Sequence, residues 1–323
     1  MREQKKQVCS ESCRLSVFLR KQINEGCRLC PRECGIDRWH GQIGYCGQTS
    51  EVCLARAALH MWEEPCISGE EGSGTIFFSG CTLRCRYCQN YQIADSTVGK
   101  AVSVEKLASI MTGLQKRGAN NINLVTPTQF VPQIIEALNL ARSQGLSIPI
   151  VYNTSGYEKR ETLEELNGYV DIYLPDFKYV SKELAQKFSK AENYPSVVKS
   201  AIREMVKQTG LPLFDERGMM KKGVIVRHLV LPGHTKESMQ VIKDVYETFG
   251  NEVYLSIMSQ YTPVREIPEY KELNRKLTRR EYNRVIDYAL ELGVEQAYMQ
   301  DGDTAKDSFI PAFDYEGIDG KCN

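Results

Sequence analysis

The sequence has no excess of either charge: 41 Lys and Arg balance 41 Asp and Glu over 323 residues. Without a basic surplus there is no electrostatic footprint for nucleic acid or for an anionic membrane, so neither is expected among its partners. No apolar run approaches the roughly 18 residues that would suggest a membrane span. The polar opening MREQKKQV is not followed by the apolar core of a signal peptide, and a cytoplasmic protein is expected. Internal repeats and low-complexity tracts are missing too. What remains, at 42% hydrophobic and 25% charged residues, is the composition of a globular chain long enough for one large domain with an appendage, or for two ordinary ones.

Cysteine is the residue the sequence does hold in quantity, twelve in all. In a reducing compartment such thiols stay free, and clustered ones bind metal or react. Eight precede residue 70, three fall in SGCTLRCRYCQNY (79–91), and Cys322 stands alone. This crowding toward one end argues for one or two metal sites and against a distributed disulfide framework.

From residue 75 onward β-rich runs alternate with helical patterns. TIFFS (75–79), NINLVT (121–126), IPIVYN (148–153), VDIYLPDF (170–177), KKGVIVRHLVL (221–231) and EVYLSIM (252–258) read as strands, with EQAYMQ (295–300) as a short last one. Between them Val104, Leu107, Met111 and Leu114 form one helical stripe, and Ile134, Ile135, Leu138 and Ala141 another. Gly118 and Gly145 stand where C-caps belong. Helical segments also follow Ser181 and Tyr194, and Thr278 with Glu281 predicts a capping box. Glu216-Arg217-Gly218 reads as the turn of a hairpin that returns along the 221–231 strand. About six βα units predict a parallel sheet buried on both faces, in a partial (β/α)6 barrel of TIM-like type with a Cys-rich N-terminal extension. A flat doubly wound sheet is the rival. Either way the chemistry belongs at the carboxyl ends of the strands. The stretch GEEGSG (69–74) reads as a joint, giving a Cys-rich region over 1–70, a barrel over 71–305 and a tail over 306–323.

Cys81, Cys85 and Cys88 follow the first of these strands directly. Three thiolates without a nearby fourth Cys or His do not complete a tetrahedral zinc site. A [4Fe–4S] cluster held by three cysteines leaves one iron open to an outside ligand. The C-x3-C-x2-C spacing, with Tyr87 before the third Cys, resembles the signature of the radical S-adenosylmethionine (radical SAM) superfamily. The stretches CRLCPRECGIDR, ARAALHMWEEPCISG, NINLVTPTQFVPQIIEAL, PIVYNTSGYE, DIYLPDFKY and VRHLVLPGHT extend the resemblance to the pyruvate formate-lyase activating enzymes, from about Cys27 to about Tyr315.

That resemblance implies an oxidoreductase in which the open iron binds S-adenosylmethionine and one electron splits it into methionine and a hydrogen-abstracting 5′-deoxyadenosyl radical. It also implies a low-potential electron donor, flavodoxin or ferredoxin, and a glycyl-radical enzyme as protein substrate. The alternatives are radical modification of another protein, a peptide or a small molecule, and a non-catalytic iron–sulfur or zinc scaffold. Residue by residue, it carries Tyr87, Thr126, Thr128, Asn153, Ser155, Asp176, Lys178 and Arg227 over as cofactor-binding positions. At the second strand Val125-Thr126-Pro127-Thr128-Gln129 stands where the superfamily often has Gly-Gly-Glu, so Thr hydroxyls and carbonyls would hold the ammonium. Asn153-Thr154-Ser155-Gly156 replaces Asp-Thr-Asn-Gly, which puts the family's monovalent-cation site in question. Arg227 lies amid apolar neighbours, a position that requires an anionic partner.

A second group, Cys27, Cys30, Cys34 and Cys46, has enough thiolates for structural zinc or for a closed second [4Fe–4S] cluster, with Cys53 or Cys66 as substitute ligands. Cys9 and Cys13 receive no role. Glu63 and Glu64, adjacent carboxylates beside an aromatic and a proline, read either as general acid/base groups or as a solvated loop pair, and the solvated pair is expected. His228 is expected to face away from Arg227, and His234, Ser259, Gln260 and Tyr261 lie where a cavity wall is expected.

Overall fold

The computed structural model describes residues 16–300 and 311–318; Cys9, Cys13 and Cys322 lie outside them. Its strands are β1 (Val52–His60), β2 (Ser73–Phe78), β3 (Lys100–Val102), β4 (Ile122–Val125), β5 (Ile150–Thr154), β6 (Ile172–Pro175), β7 (Leu213–Phe214), β8 (Met220–Leu229), β9 (Tyr254–Met258) and β10 (Ala297–Met299). They share one sheet in the order β10-β9-β8-β6-β5-β4-β2-β1-β3, with β7 attached to β8. Every neighbouring pair from β2 to β10 along that path is parallel. The two ends of the path, β10 and β3, are not paired with each other, so the barrel is partial.

The parallel strands form where apolar residues run on without alternation. Every residue of β2, β4, β5 and β6 is buried, as a sheet covered on both faces requires. Helices α4 (Val104–Lys116) and α5 (Val131–Ser143) cover one side. The Ser103 hydroxyl caps α4 by accepting from Lys106 N at 3.2 Å. Thr278 and Glu281 form the expected capping box on α10 (Arg279–Glu291). The β7–β8 hairpin turns at Gly218, whose N–H bonds to the Asp215 carbonyl at 2.9 Å.

The edge of the sheet differs from the sequence reading. β1 was not expected; it pairs antiparallel with β2 from Leu54↔Phe78 to His60↔Ser73, and with β3. The stretch 69–74 thus runs from the connection between two paired strands into the first two residues of β2. Residues 311–318 lie along β1, with Tyr315 N donating to Ala55 O and Ala57 N donating to Glu316 O.

The segment between β1 and β2 determines what fills the barrel. It carries α2 (Pro65–Ser68) into the space inside the strands. There Cys66 and Ile67 pack with Val151, Ile172, Leu174, Met220 and Ile225. Full burial of a side chain such as Ile67 contributes about 2 kcal/mol. The carbonyls at the end of α2 accept from Asn120 and Asn121 side chains, each at 2.7 Å. This plug closes the bottom of the barrel and leaves the strands' carboxyl ends open. Among the described residues no helix is long and apolar enough to cross a membrane.

Candidate active site

A cavity of about 190 Å³ opens at the carboxyl ends of β2, β4, β5, β6, β8 and β9. Cys81, Cys85 and Cys88 line it together with Tyr87, Thr126, Asn153, Ser155, Asp176, Lys178 and Arg227, so residues spread over 146 positions of sequence meet in one place. Gln260 and Tyr261 join them, whereas Ser259 and His234 do not. His234 instead packs edge-on against Phe188. His228 is buried, with Nδ1 2.7 Å from the Phe177 carbonyl.

The triplet loop is built by backbone contacts. Gly80 has φ +86°, and a Cβ there would lie 2.7 Å from the Cys46 carbonyl, so only glycine allows this approach. The Cys81 N–H bonds to that same carbonyl at 3.2 Å. Gln129 Nε2 holds the carbonyls of Ser79 and Gly80 at 3.0 and 3.1 Å. Two amides, of Leu83 and Arg84, point at Cys81 Sγ at 3.4 Å, and Ser189 Oγ lies 3.2 Å from Cys85 Sγ. Burial pushes the Cys81 thiol up to about 11, and burial together with the neighbouring Cys85 pushes Cys88 up. Free thiols are therefore costly to ionise here; the positive charges of a bound metal group and of Lys178 favour the thiolates.

Opposite the triplet, Asp176 bridges two cations. Lys178 Nζ lies 2.6 Å and Arg227 Nε 3.0 Å from its oxygens. Burial alone would raise the Asp176 carboxyl, but the Lys178 and Arg227 charges outweigh it and hold it below its ordinary value. Asp176 and Lys178 are only 16% and 15% exposed, so this is not a solvated surface pair.

Two expectations change. Thr128 lies in a short 3-10 turn (Thr128–Phe130) behind the cavity, where its hydroxyl donates to Glu158 at 2.6 Å. Thr126 stands at the rim with φ +58°, a left-handed backbone that turns the next residues inward. Glu63 is the second. It is 10% exposed, not solvated, and its oxygens meet Arg227 Nη1 at 3.2 Å and the Asn123 and Asn153 amides at 3.0 and 3.3 Å. Glu64 is buried as well, and burial raises both carboxyls above their ordinary values. The signal was the company they keep: a carboxylate pair next to the buried Cys66 and Ile67 is carried inside with them.

The second Cys group forms a separate patch. Cys27, Cys30 and Cys46 are buried, Cys34 half-buried. The hydrogen bond between Cys27 and Cys34 raises the first and lowers the second to about 5, while burial pushes Cys30 up to about 12. Arg38, 3% exposed, donates to Gln129 O at 2.9 Å, to Gln48 O at 3.1 Å and to Cys27 Sγ at 3.5 Å. Cys53 and Cys66 lie elsewhere, Cys53 on β1 beside Ser79 and Cys66 in the plug beside Tyr298, so neither substitutes in this group. Among the described residues no three His, Cys, Asp or Glu side chains are grouped as they would be around one metal ion.

A family profile described as the radical SAM superfamily matches residues 75–245, more than half the chain. An uncharacterized protein of Methanocaldococcus jannaschii is 29% identical over 294 residues, covering 88% of this chain and 80% of that protein. The pyruvate formate-lyase-activating enzyme of Clostridium pasteurianum is 24% identical over 206 residues, 62% of this chain and 79% of that enzyme. Among solved structures, Streptococcus suis SuiB bound to S-adenosylmethionine aligns at 15% identity with a TM-score of 0.47, over 72% of this chain and 51% of SuiB. Methylornithine synthase (PylB) aligns at 13% identity and TM-score 0.47, over 65% of this chain and 59% of the synthase. The chain thus spans between half and three-fifths of these two solved structures.

Proposed function

The chain belongs to the radical SAM superfamily, and from that membership we propose that it is an activating enzyme of the pyruvate formate-lyase type, which takes a hydrogen atom from a glycyl-radical enzyme. Membership brings a [4Fe–4S] cluster and S-adenosylmethionine. The residues present fit both: three free thiols face one cavity, amides point at a sulfur, and Gly80 leaves the loop its close approach. When bound, the cluster supplies the electron that splits S-adenosylmethionine into methionine and a hydrogen-abstracting 5′-deoxyadenosyl radical.

The polypeptide's part is placement. Cys81, Cys85 and Cys88 would hold three irons and leave one without a protein ligand. Lys178 and Arg227 bring positive charge to the cofactor carboxylate, and Thr126, Asn153 and Ser155 offer polar atoms at the rim. Positive charge beside Asn153 and Asp176 already comes from Lys178 and Arg227, which weakens the case for a monovalent cation there. Tyr87, packed on Tyr179, Phe188 and Tyr261, walls one side and keeps water from the reacting atoms. The second Cys group is read as a second metal site, for an iron–sulfur cluster or a zinc ion, with the cluster favoured by the extra clusters of other activating enzymes. A low-potential flavodoxin or ferredoxin would be the electron donor.

The observation that carries this reading is the meeting of the triplet with Asp176, Lys178 and Arg227 around one cavity; the activase role leans further on the similarity to the Clostridium pasteurianum enzyme. The test is anaerobic: reconstituted, reduced protein is given S-adenosylmethionine and pyruvate formate-lyase. Release of deoxyadenosine and a glycyl doublet in electron paramagnetic resonance are expected. Deoxyadenosine without a doublet, carrying label from a metabolite, would move the assignment to small-molecule modification. No deoxyadenosine at all would end the enzymatic reading.

A further inference from the structure

Glu63 reaches the cavity from a segment outside residues 75–245, the part matched by the superfamily profile. Its position answers a deficit at the end of β4, where Val125-Thr126-Pro127-Thr128-Gln129 offers no carboxylate. Glu63 is tied to that strand through Asn123, to β5 through Asn153 and to β8 through Arg227. A carboxylate has about four acceptor positions, and these three donors leave one open.

Arg227 and Lys178 do not serve the carboxylates of the cavity equally. Asp176 meets both, at 2.6 Å from Lys178 and 3.0 Å from Arg227, whereas Glu63 meets Arg227 alone of the two, at 3.2 Å. A primary ammonium brings one positive charge, three donors and no acceptor. It gives Glu63 a second cation and the further donor that its open position takes, which a neutral or anionic group cannot do.

We propose that the Glu63 carboxylate binds the ammonium at the methionine end of S-adenosylmethionine, replacing from the plug segment a carboxylate that β4 does not carry. The proposal rests on the reading that this cavity takes S-adenosylmethionine. It also accounts for the plug's course: the segment packs apolar Ile67 among the strands and leaves Glu63 on the wall of the cavity.

The experiment compares two ligands on three proteins: S-adenosylmethionine and its deaminated analogue, each bound to wild type, Glu63→Gln and Glu63→Asp by anaerobic equilibrium dialysis. Wild type should bind the amine-bearing ligand at least about tenfold tighter than the analogue, as a charge-assisted hydrogen bond implies. Glu63→Gln should lose that discrimination by weakening S-adenosylmethionine alone, and Glu63→Asp should keep part of it. Equal weakening of both ligands would mean that Glu63 only props Arg227, and would overturn the assignment; so would no weakening of either. Iron content and the spectrum of the reduced cluster are recorded on the same samples. A failure of the cluster reading therefore registers there, apart from the comparison of ligands.

Discussion

Cys81, Cys85 and Cys88 occupy a loop pinned to the end of β2, whereas Cys27, Cys30, Cys34 and Cys46 lie between α1 (Val17–Asn24) and β1, where the regular structure is a single 3-10 turn at Arg38–His40. The first group faces the cavity; none of the second does. The first is held by sheet and amide contacts, the second by two arginines that reach across to the first. Arg32 donates to the carbonyls of Thr82 at 3.0 Å and Ser189 at 2.8 Å, and Arg38 to that of Gln129. With the Cys46–Cys81 backbone bond, these contacts make the second group a brace behind the first. An open ligand set is useful only if its loop cannot move, and a region with little core of its own becomes rigid here only by leaning on the sheet.

The largest test of that contrast removes one thiol from each side. Cys85→Ala should abolish deoxyadenosine formation and lower the iron count. Cys30→Ala should lower the iron count yet leave deoxyadenosine release above background, because Cys30 does not face the cavity. Equal loss in the two variants, measured as product per chain under reducing anaerobic conditions, would erase the distinction between catalytic group and brace.

A smaller effect is expected from Arg38→Ala, which takes a buried guanidinium away from three main-chain carbonyls and Cys27. The loss should be about 4 kcal/mol, read from the urea midpoint. Metal retention should fall at the second group before the first. If iron is lost from the triplet first, the direction of support runs opposite to the one described.

How much of this could be read from residues alone follows the same division. The parallel strands announce themselves because INLV and IVYNT place apolar residues side by side and not only at alternate positions, and Thr278 with Glu281 marks a helix start by local chemistry. The Cys triplet is a local pattern too. β1 escaped because VCLARAALH is rich in alanine, which favours no strand; only pairing with β2 makes it one. Thr128 was misplaced by a single left-handed residue, since Thr126 redirects the chain and a two-residue offset no longer means the same side. Glu63 and Glu64 looked solvated because their neighbours on the barrel floor come from β4, β5, β6 and β8, none of them close in sequence. Contacts across the sheet are where local reading ends.

The finest test uses Glu158, which stands between the two groups. Its carboxyl accepts from Thr128 and Thr154 on the sheet side, and its charge bears on Cys30 of the brace. Burial raises it to about 7. An acid whose folded value exceeds its unfolded one binds its proton more tightly when folded, so its contribution is fully present below about pH 4.5 and is lost as pH rises through 7. The span corresponds to roughly 3 kcal/mol. Glu158→Gln cannot ionise, so it should match wild type near pH 4.5 and exceed it by about that amount at pH 8, measured by urea unfolding. Because its charge acts on Cys30, retention of metal by the second group should change with pH differently in wild type and in the variant, while the reduced spectrum of the first cluster stays the same in both. Parallel stability curves would place the proton elsewhere, and a pH-dependent first cluster would show that the brace transmits charge as well as support.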